Sequence, residues 1–180
     1  MLASLICPGP SLATRKPAGD VFVAVNRAAL VAERIHGIAS DWMVFGDGGP
    51  FLNILPDLKC RPRIFASEKA MIDIANAGQS DRLREFPPYT QWDAAYADWP
   101  PMFGWTEFSA CAGLVACVRA GATEVNVYGA DWTCDQADPD GVALHTNTRT
   151  PGRWHDEAIH WAAVVQELGT HGIPVRRILI

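Results

Sequence analysis

Leu2-Ala3-Ser4-Leu5-Ile6-Cys7-Pro8-Gly9-Pro10-Ser11-Leu12 opens the chain, an apolar run that breaks into a Pro-Gly-Pro-Ser turn. An opening strand that ends in a Gly turn, with a Ser placed to begin a helix, brings backbone N–H groups and a hydroxyl to one point. This is how α/β proteins hold phosphate. Four later apolar runs end in small or polar residues and read as neighbouring parallel strands. They are Val21–Val25 before Asn26, Trp42–Phe45 before Gly46-Asp47, Arg63–Ala66 before Ser67, and Val125–Tyr128 before Gly129-Ala130-Asp131. In an open parallel sheet, ligands sit beyond the carboxyl ends of the strands. The expected fold is therefore α/β: one doubly wound, mostly parallel sheet with helices on both faces. Ser11, Asn26, Asp47, Ser109 and Asp131 are expected to converge on one crevice at its carboxyl edge. A lone Pro-Gly-Pro-Ser would be only a turn, and the repetition of polar strand endings is what points to a site.

The 180 residues suit one domain, 1–180, since a chain of this size can bury roughly 70% of its unfolded surface without metal or disulfide staples. The formal charge of −5, with Lys and Arg scattered singly, offers no basic stripe for a nucleic-acid backbone. DNA and RNA are excluded as general partners, while a single nucleotide is not. Five cysteines, Cys7, Cys60, Cys111, Cys117 and Cys134, are odd in number and form no Cys-x-x-Cys pair, which argues for a reducing compartment and against a zinc site. No apolar run approaches the ~20 residues that span a bilayer, and no leader pattern opens the chain. A cytoplasmic protein with no membrane span is expected.

Asn26 stands at a plausible N-cap, with Ala28–Arg34 as helix behind it, and capping alone would explain it. Gly46-Asp47-Gly48-Gly49-Pro50 reads as a flexible turn carrying one carboxylate. Ser67 reads as the N-cap of a helix through Ala70, Ile72, Ile74 and Ala75. Between Phe86 and Trp105 prolines interleave with aromatic rings, the pattern of an ordered irregular loop. Most of those rings should pack, leaving one or two for a ligand or for a contact within a homo-oligomer. Ser109–Ala120 is rich in small residues that let a helix approach a sheet closely, and Gly121 ends it. The polar stretch 133–153 shows no periodicity and reads as a lid loop or a disordered one. His155–Leu168 reads as a helix and Ile173–Ile180 as a final strand. His36, His160 and His171 read as surface or helix-face residues, and His145 as a loop residue.

Three blocks in order resemble the bacterial sialyltransferases that decorate lipooligosaccharide, and related uncharacterised prokaryotic and phage proteins. The first is Gly9-Pro10-Ser11-Leu12. The second pairs Asn26 after the second strand with Ser109 at the start of the small-residue helix. The third is GATEVNVYGADW at Gly121–Trp132, similar to the family's Gly-x-x-Glu-x-x-x-x-Gly-x-Asp-aromatic. The resemblance implies a Rossmann-like fold and a CMP-type nucleotide or nucleotide-sugar site. Gly9, Pro10 and Ser11 would lie near the phosphate, with Asn26, Ser109, Gly129 and Trp132 near phosphate, ribose and base. It also implies metal-independent glycosyl transfer to a hydroxyl acceptor, with the nucleotide sugar as donor substrate and no cofactor. His155 falls where the family keeps its catalytic histidine, and so is implied as the general base. As a plain residue of the helix start it would need no function. Two departures are visible: no Tyr follows Tyr128, and Asp47 stands where the family has an Asn. A carboxylate there repels a phosphate or requires a cation.

Two other readings belong beside this one. A nucleotide- or sugar-binding protein without turnover fits the missing tyrosines. A resemblance to archaeal pterin diphosphokinases, through the same Gly-Pro-Ser-Leu, implies Mg²⁺ held by Asp47 and Asp131.

Overall fold

The computed structural model describes residues 1–87, 90–91, 108–132, 135–137, 143–145 and 151–178. The Pro-aromatic segment therefore lies almost wholly outside the described residues. The strands are β1 (Leu2–Ile6), β2 (Val21–Val25), β3 (Trp42–Phe45), β4 (Arg63–Ala66), β5 (Thr90–Gln91), β6 (Glu124–Tyr128) and β9 (Val175–Arg177), and they form one sheet in the order β5-β4-β3-β2-β1-β6-β9. Every pairing in it is parallel. From β1 the chain steps outward through β2, β3, β4 and β5. It then crosses back to lay β6 on the other side of β1, in register Leu2 to Glu124 through Ile6 to Tyr128.

The apolar runs form strands because both of their faces find cover, as parallel sheets require. Ala3, Leu5, Val23, Val25, Val125 and Val127 point to one face, where helices α4 (Ser109–Arg119) and α5 (Pro151–Thr170) pack with Leu114, Trp161, Val164 and Leu168. Ile6, Ala24, Met43, Phe45, Ile64 and Tyr128 point to the other. Helices α1 (Ala28–His36), α2 (Gly48–Ile54) and α3 (Glu68–Asn76) cover that face. The expected α/β architecture with helices on both faces is the one observed. Gly113 explains the small-residue composition of α4: a Cβ there would fall 2.5 Å from Leu5 Cδ1. Among the described residues, no helix is long and apolar enough to cross a membrane.

Three local expectations are corrected. Asn26 is not the cap of α1; the helix begins at Ala28 after Arg27, and no side chain caps it. Asn26 instead takes a left-handed conformation, φ 52°, which Asn tolerates better than most residues. The stretch after Asp47 is not a flexible turn but helix α2. Its first residue, Gly48, lies so close to α3 that a Cβ would meet Asp73 Cβ at 2.7 Å, and the Gly48 N–H donates to Asp73 Oδ2 at 3.1 Å. Within the polar stretch 133–153, β7 (Asp135–Ala137) and β8 (Ala143–His145) form an antiparallel pair, and α5 begins at Pro151, four residues before the expected start. Proline suits a first turn because its missing N–H would have no helical partner there. The rest of the expected lid lies outside the described residues.

Ser67 does cap α3, and it joins that helix to the loop after β3. Its Oγ accepts the Ala70 N–H at 3.0 Å and donates to the Gly46 carbonyl at 2.6 Å. Ser67→Ala is expected to lower stability by about 1–3 kcal/mol, the scale of a lost cap plus a buried carbonyl left unpaired. Urea unfolding followed by tryptophan fluorescence checks this, and a change under half a kcal/mol would refute the double role.

Candidate functional site

The strand order reverses between β1 and β6, and a crevice lies beyond the carboxyl ends of these strands, the usual ligand position in a doubly wound sheet. Its space is about 770 Å³ including the open mouth. The loop after β1 contributes Cys7, Pro8 and Gly9, and the loop after β6 contributes Gly129, Ala130, Asp131 and Trp132. Asn26 and Asp47 come from the ends of β2 and β3, and Ser109 and Ala110 from the start of α4. Arg153, Trp154 and Glu157 come from one face of α5. Of the expected site residues, Gly9, Asn26, Asp47, Ser109, Gly129, Asp131 and Trp132 are thus brought together. Pro10, Ser11 and His155 are not on the wall.

The Gly9–Ser11 turn does not offer its donors to the crevice. Gly9 N–H donates to the Gly129 carbonyl at 2.7 Å. Ser11 N–H and Oγ donate to the two carboxylate oxygens of Asp131 at 2.7 and 2.6 Å. Pro8 and Pro10 have no N–H to give. The donor set expected to cradle a phosphate is instead satisfied by a carboxylate of the chain itself, which ties the turn after β1 to the turn after β6. The approach is close enough to exclude side chains. A Cβ on Gly9 would collide with the Gly129 carbonyl and lie 2.5 Å from Asp131 Oδ2, and one on Gly129, whose φ is 67°, would collide with the Cys7 carbonyl. Two glycines are what this seam requires.

Two non-glycine residues of the wall, Asn26 and Trp132, have positive φ, 52° and 57°. For a residue as bulky as Trp this costs on the order of 1–2 kcal/mol, and such outliers cluster at functional sites. Trp132 is held by edge contacts to Trp154 and Trp161, with centroids at 6.4 and 5.6 Å. The Arg177 guanidinium lies over its ring and donates to the Ala130 carbonyl. Among the described residues the buried Asn26 Oδ1 has no hydrogen-bond partner, so a ligand bearing an N–H or O–H would supply one.

The titratable groups of the wall differ in their engagements. Asp47 is exposed and pairs with Lys69 Nζ at 2.7 Å; the same ammonium holds Asp73 at 2.9 Å. The two carboxylate bonds, Asp47 first, raise the Lys69 pKa and keep it charged. Glu157 is buried, 6% exposed. Burial pushes the Cys7 thiol well above its usual range, and the charge of Glu157 adds to it. Burial, again with Glu157, takes Cys111 to about 12. Both stay protonated near neutrality, so Cys7 lines the crevice as a small apolar group and not as a nucleophile. His155 is exposed, on a different side of α5 from Arg153 and Glu157. Those two, with Trp154, are site residues the sequence reading missed. Their spacing of i, i+1 and i+4 around Trp154 was visible as one helix face, but only the packing of Trp161 shows that this face turns inward.

No protein-family model matches the chain, and no curated protein matches it. The fold is similar to that of a sialyltransferase. The solved structure is CstII from Campylobacter jejuni in complex with a substrate analogue, CMP-3FNeuAc. The similarity has a TM-score of 0.56 at 12% identity and covers 97% of this chain and 79% of that one. At that identity the likeness is one of fold alone.

The Ser11–Asp131 contact yields a stability prediction. Asp131→Ala removes a charged acceptor from two donors and is expected to cost about 2–3 kcal/mol. Ser11→Ala, which keeps the N–H bond, should cost about 1–2 kcal/mol. Chemical denaturation of both variants checks the order. A harmless Asp131→Ala would show that the seam does not depend on this pair.

Proposed function

We propose that the crevice holds a nucleotide or nucleotide sugar of CMP type and that the protein is a glycosyltransferase-like enzyme, transferring the sugar to a hydroxyl acceptor without a metal. The observation that carries this reading is that the first turn of α4 opens on the crevice at the switch point of the sheet. Helix α4 runs for 11 residues and its N-cap position, Phe108, makes no side-chain bond. The N–H groups of its first turn and the positive end of its dipole therefore suit an anion. Ser109 Oγ accepts the Gly46 N–H at 3.2 Å, which leaves its own hydrogen for a phosphate oxygen. The phosphate role expected of the Gly9–Ser11 turn passes in this reading to Ser109 and the start of α4. Lys69 answers the objection raised by Asp47, since it sets a cation against that carboxylate.

A second reading, nucleotide binding without turnover, is favoured by one observation: His155 is exposed and off the wall. The diphosphokinase reading has none in its favour, because Asp47 is engaged by Lys69 and Asp131 by Ser11. Among the described residues, no group of three or more His, Cys, Asp or Glu side chains is arranged to hold a metal.

CMP and CMP-sialic acid are expected to raise Tm equally with and without EDTA, since a ligand of the native state stabilises it by mass action. Ser109→Ala should weaken CMP binding by about 1–3 kcal/mol, and His155→Ala should leave it within about twofold, because His155 is off the wall. Release of CMP from CMP-sialic acid, lost in His155→Ala, supports transfer. Binding without release supports the second reading. No binding at millimolar nucleotide refutes both.

A further inference from the structure

The loop after β6 is held from both neighbouring strands, since β1 lies on one side of β6 and β9 on the other. On the β1 side, Ser11 donates to Asp131. On the β9 side, Arg177 reaches the residues before and after Asp131: its guanidinium donates to the Ala130 carbonyl and lies over the Trp132 ring, 5.5 Å from the centroid. The parallel register accounts for that reach. Arg177 stands beside Val127, and the next N–H along β9, that of Ile178, donates to the Val127 carbonyl at 2.8 Å. The base of the Arg177 side chain is therefore fixed to β6, just short of the loop. Trp132 needs a hold of this kind. With φ 57° it occupies a region that a bulky side chain leaves unless its surroundings fix it there, and the Ser11–Asp131 bonds stop one residue before it. Its indole lines the crevice and meets Trp154 and Trp161 edge to face. Arg177 is exposed and lies off the wall.

We propose that Arg177 is a positioning residue for the crevice: by holding the Ala130 carbonyl and the Trp132 indole at once, it keeps Trp132 in its left-handed conformation and keeps the indole on the wall, where the ring of a ligand lies against it. A guanidinium can do both, because it carries several N–H donors on a delocalised cation that an aromatic ring attracts. Without it, Trp132 relaxes toward negative φ. The arrangement competent to bind becomes one of several, and the apparent affinity falls with its share of the population. The binding arm of the test uses a nucleotide and so rests on the nucleotide reading above, whereas the hold on Trp132 does not depend on any ligand.

Two measurements on the full chain test this, with Arg177→Met as the variant, because Met keeps most of the length and apolar character but neither donates nor carries charge, and an exposed position leaves the core intact. The first is NMR without ligand. The indole protons of Trp132, identified as those that Trp132→Phe removes, should show Overhauser contacts to Trp161 in the wild type, given ring centroids 5.6 Å apart. In Arg177→Met those contacts should fall to about half or less, in step with the population that keeps the indole in place. The second is calorimetry with 5′-CMP as a double-mutant cycle. Arg177→Met should weaken binding about tenfold, the scale of a lost bond from a charged donor. In a Trp132→Gly background, where glycine takes positive φ unaided and there is no indole to hold, the same change should cost less than about twofold. Unchanged Overhauser contacts in Arg177→Met overturn the inference. So does undiminished CMP binding by that variant, and so does equal weakening in both backgrounds, since Arg177 would then act on the loop as a whole and not through Trp132. If wild type binds no CMP, the nucleotide reading falls instead and the NMR comparison decides this inference alone, as it does should Trp132→Gly fail to fold or to bind.

Discussion

The hydrogen bonds between Ser11 and Asp131 join the two loops on which the crevice depends. Strands β1 and β6 are adjacent and parallel, so the loops that leave them start side by side, and in the absence of a link they would be free to splay. The Asp131 carboxylate accepts from both the N–H and the hydroxyl of Ser11, and the Gly9 N–H closes a third bond onto the Gly129 carbonyl. The two bonds to the carboxylate are short, charge-assisted and partly buried, the setting in which such bonds are strong. The glycines at positions 9 and 129 follow from this, since the backbones could not otherwise come close enough. The strained Trp132 follows as well, because it is the residue that carries the chain out of the seam.

The same contact marks the limit of what could be read from residues alone. Strands β1 to β4 and β6 were legible because their apolar runs are continuous and end in polar residues, whereas β5, Thr90–Gln91, lies in the stretch read as an irregular loop. The convergence of Asn26, Asp47, Ser109 and Asp131 was legible for the same reason: strand ends in a parallel sheet share an edge. What could not be read was who bonds to whom. A Gly-Pro-Ser turn looks the same whether its donors are aimed at a phosphate or at an aspartate 120 positions away. Nothing local distinguishes these. The Gly46–Pro50 stretch was misread for a related reason: three glycines and a proline signal a turn, but contact with α3 gives Gly48 a place in a helix. In both cases tertiary contact overrode a local signal.

His155 and Glu157 make the complementary point. A histidine at a helix start draws the eye, because its unperturbed pKa suits proton transfer, whereas a Glu two residues later looks like an ordinary solvated side chain. Two residues along a helix is a turn of about 200°, from the 3.6-residue period, so the packing of α5 on the sheet could place only one of them inside. Trp161, Val164 and Leu168 are buried against the sheet. Glu157, four residues before Trp161, shares their side, and His155 does not.

The crevice is built of two kinds of material. On the β1 and β6 side it is lined by two loops whose approach is set by Gly9 and Gly129 and by a backbone bond that few substitutions would respect. On the α5 side it is lined by Arg153, Trp154 and Glu157, mounted on a 20-residue helix. Exchange of those three alters what the crevice recognises without asking the main chain to move. A lineage of such proteins can therefore change ligand by drift on one helix face while the seam opposite stays fixed, and divergence in sequence of the order seen against CstII is compatible with an unchanged architecture.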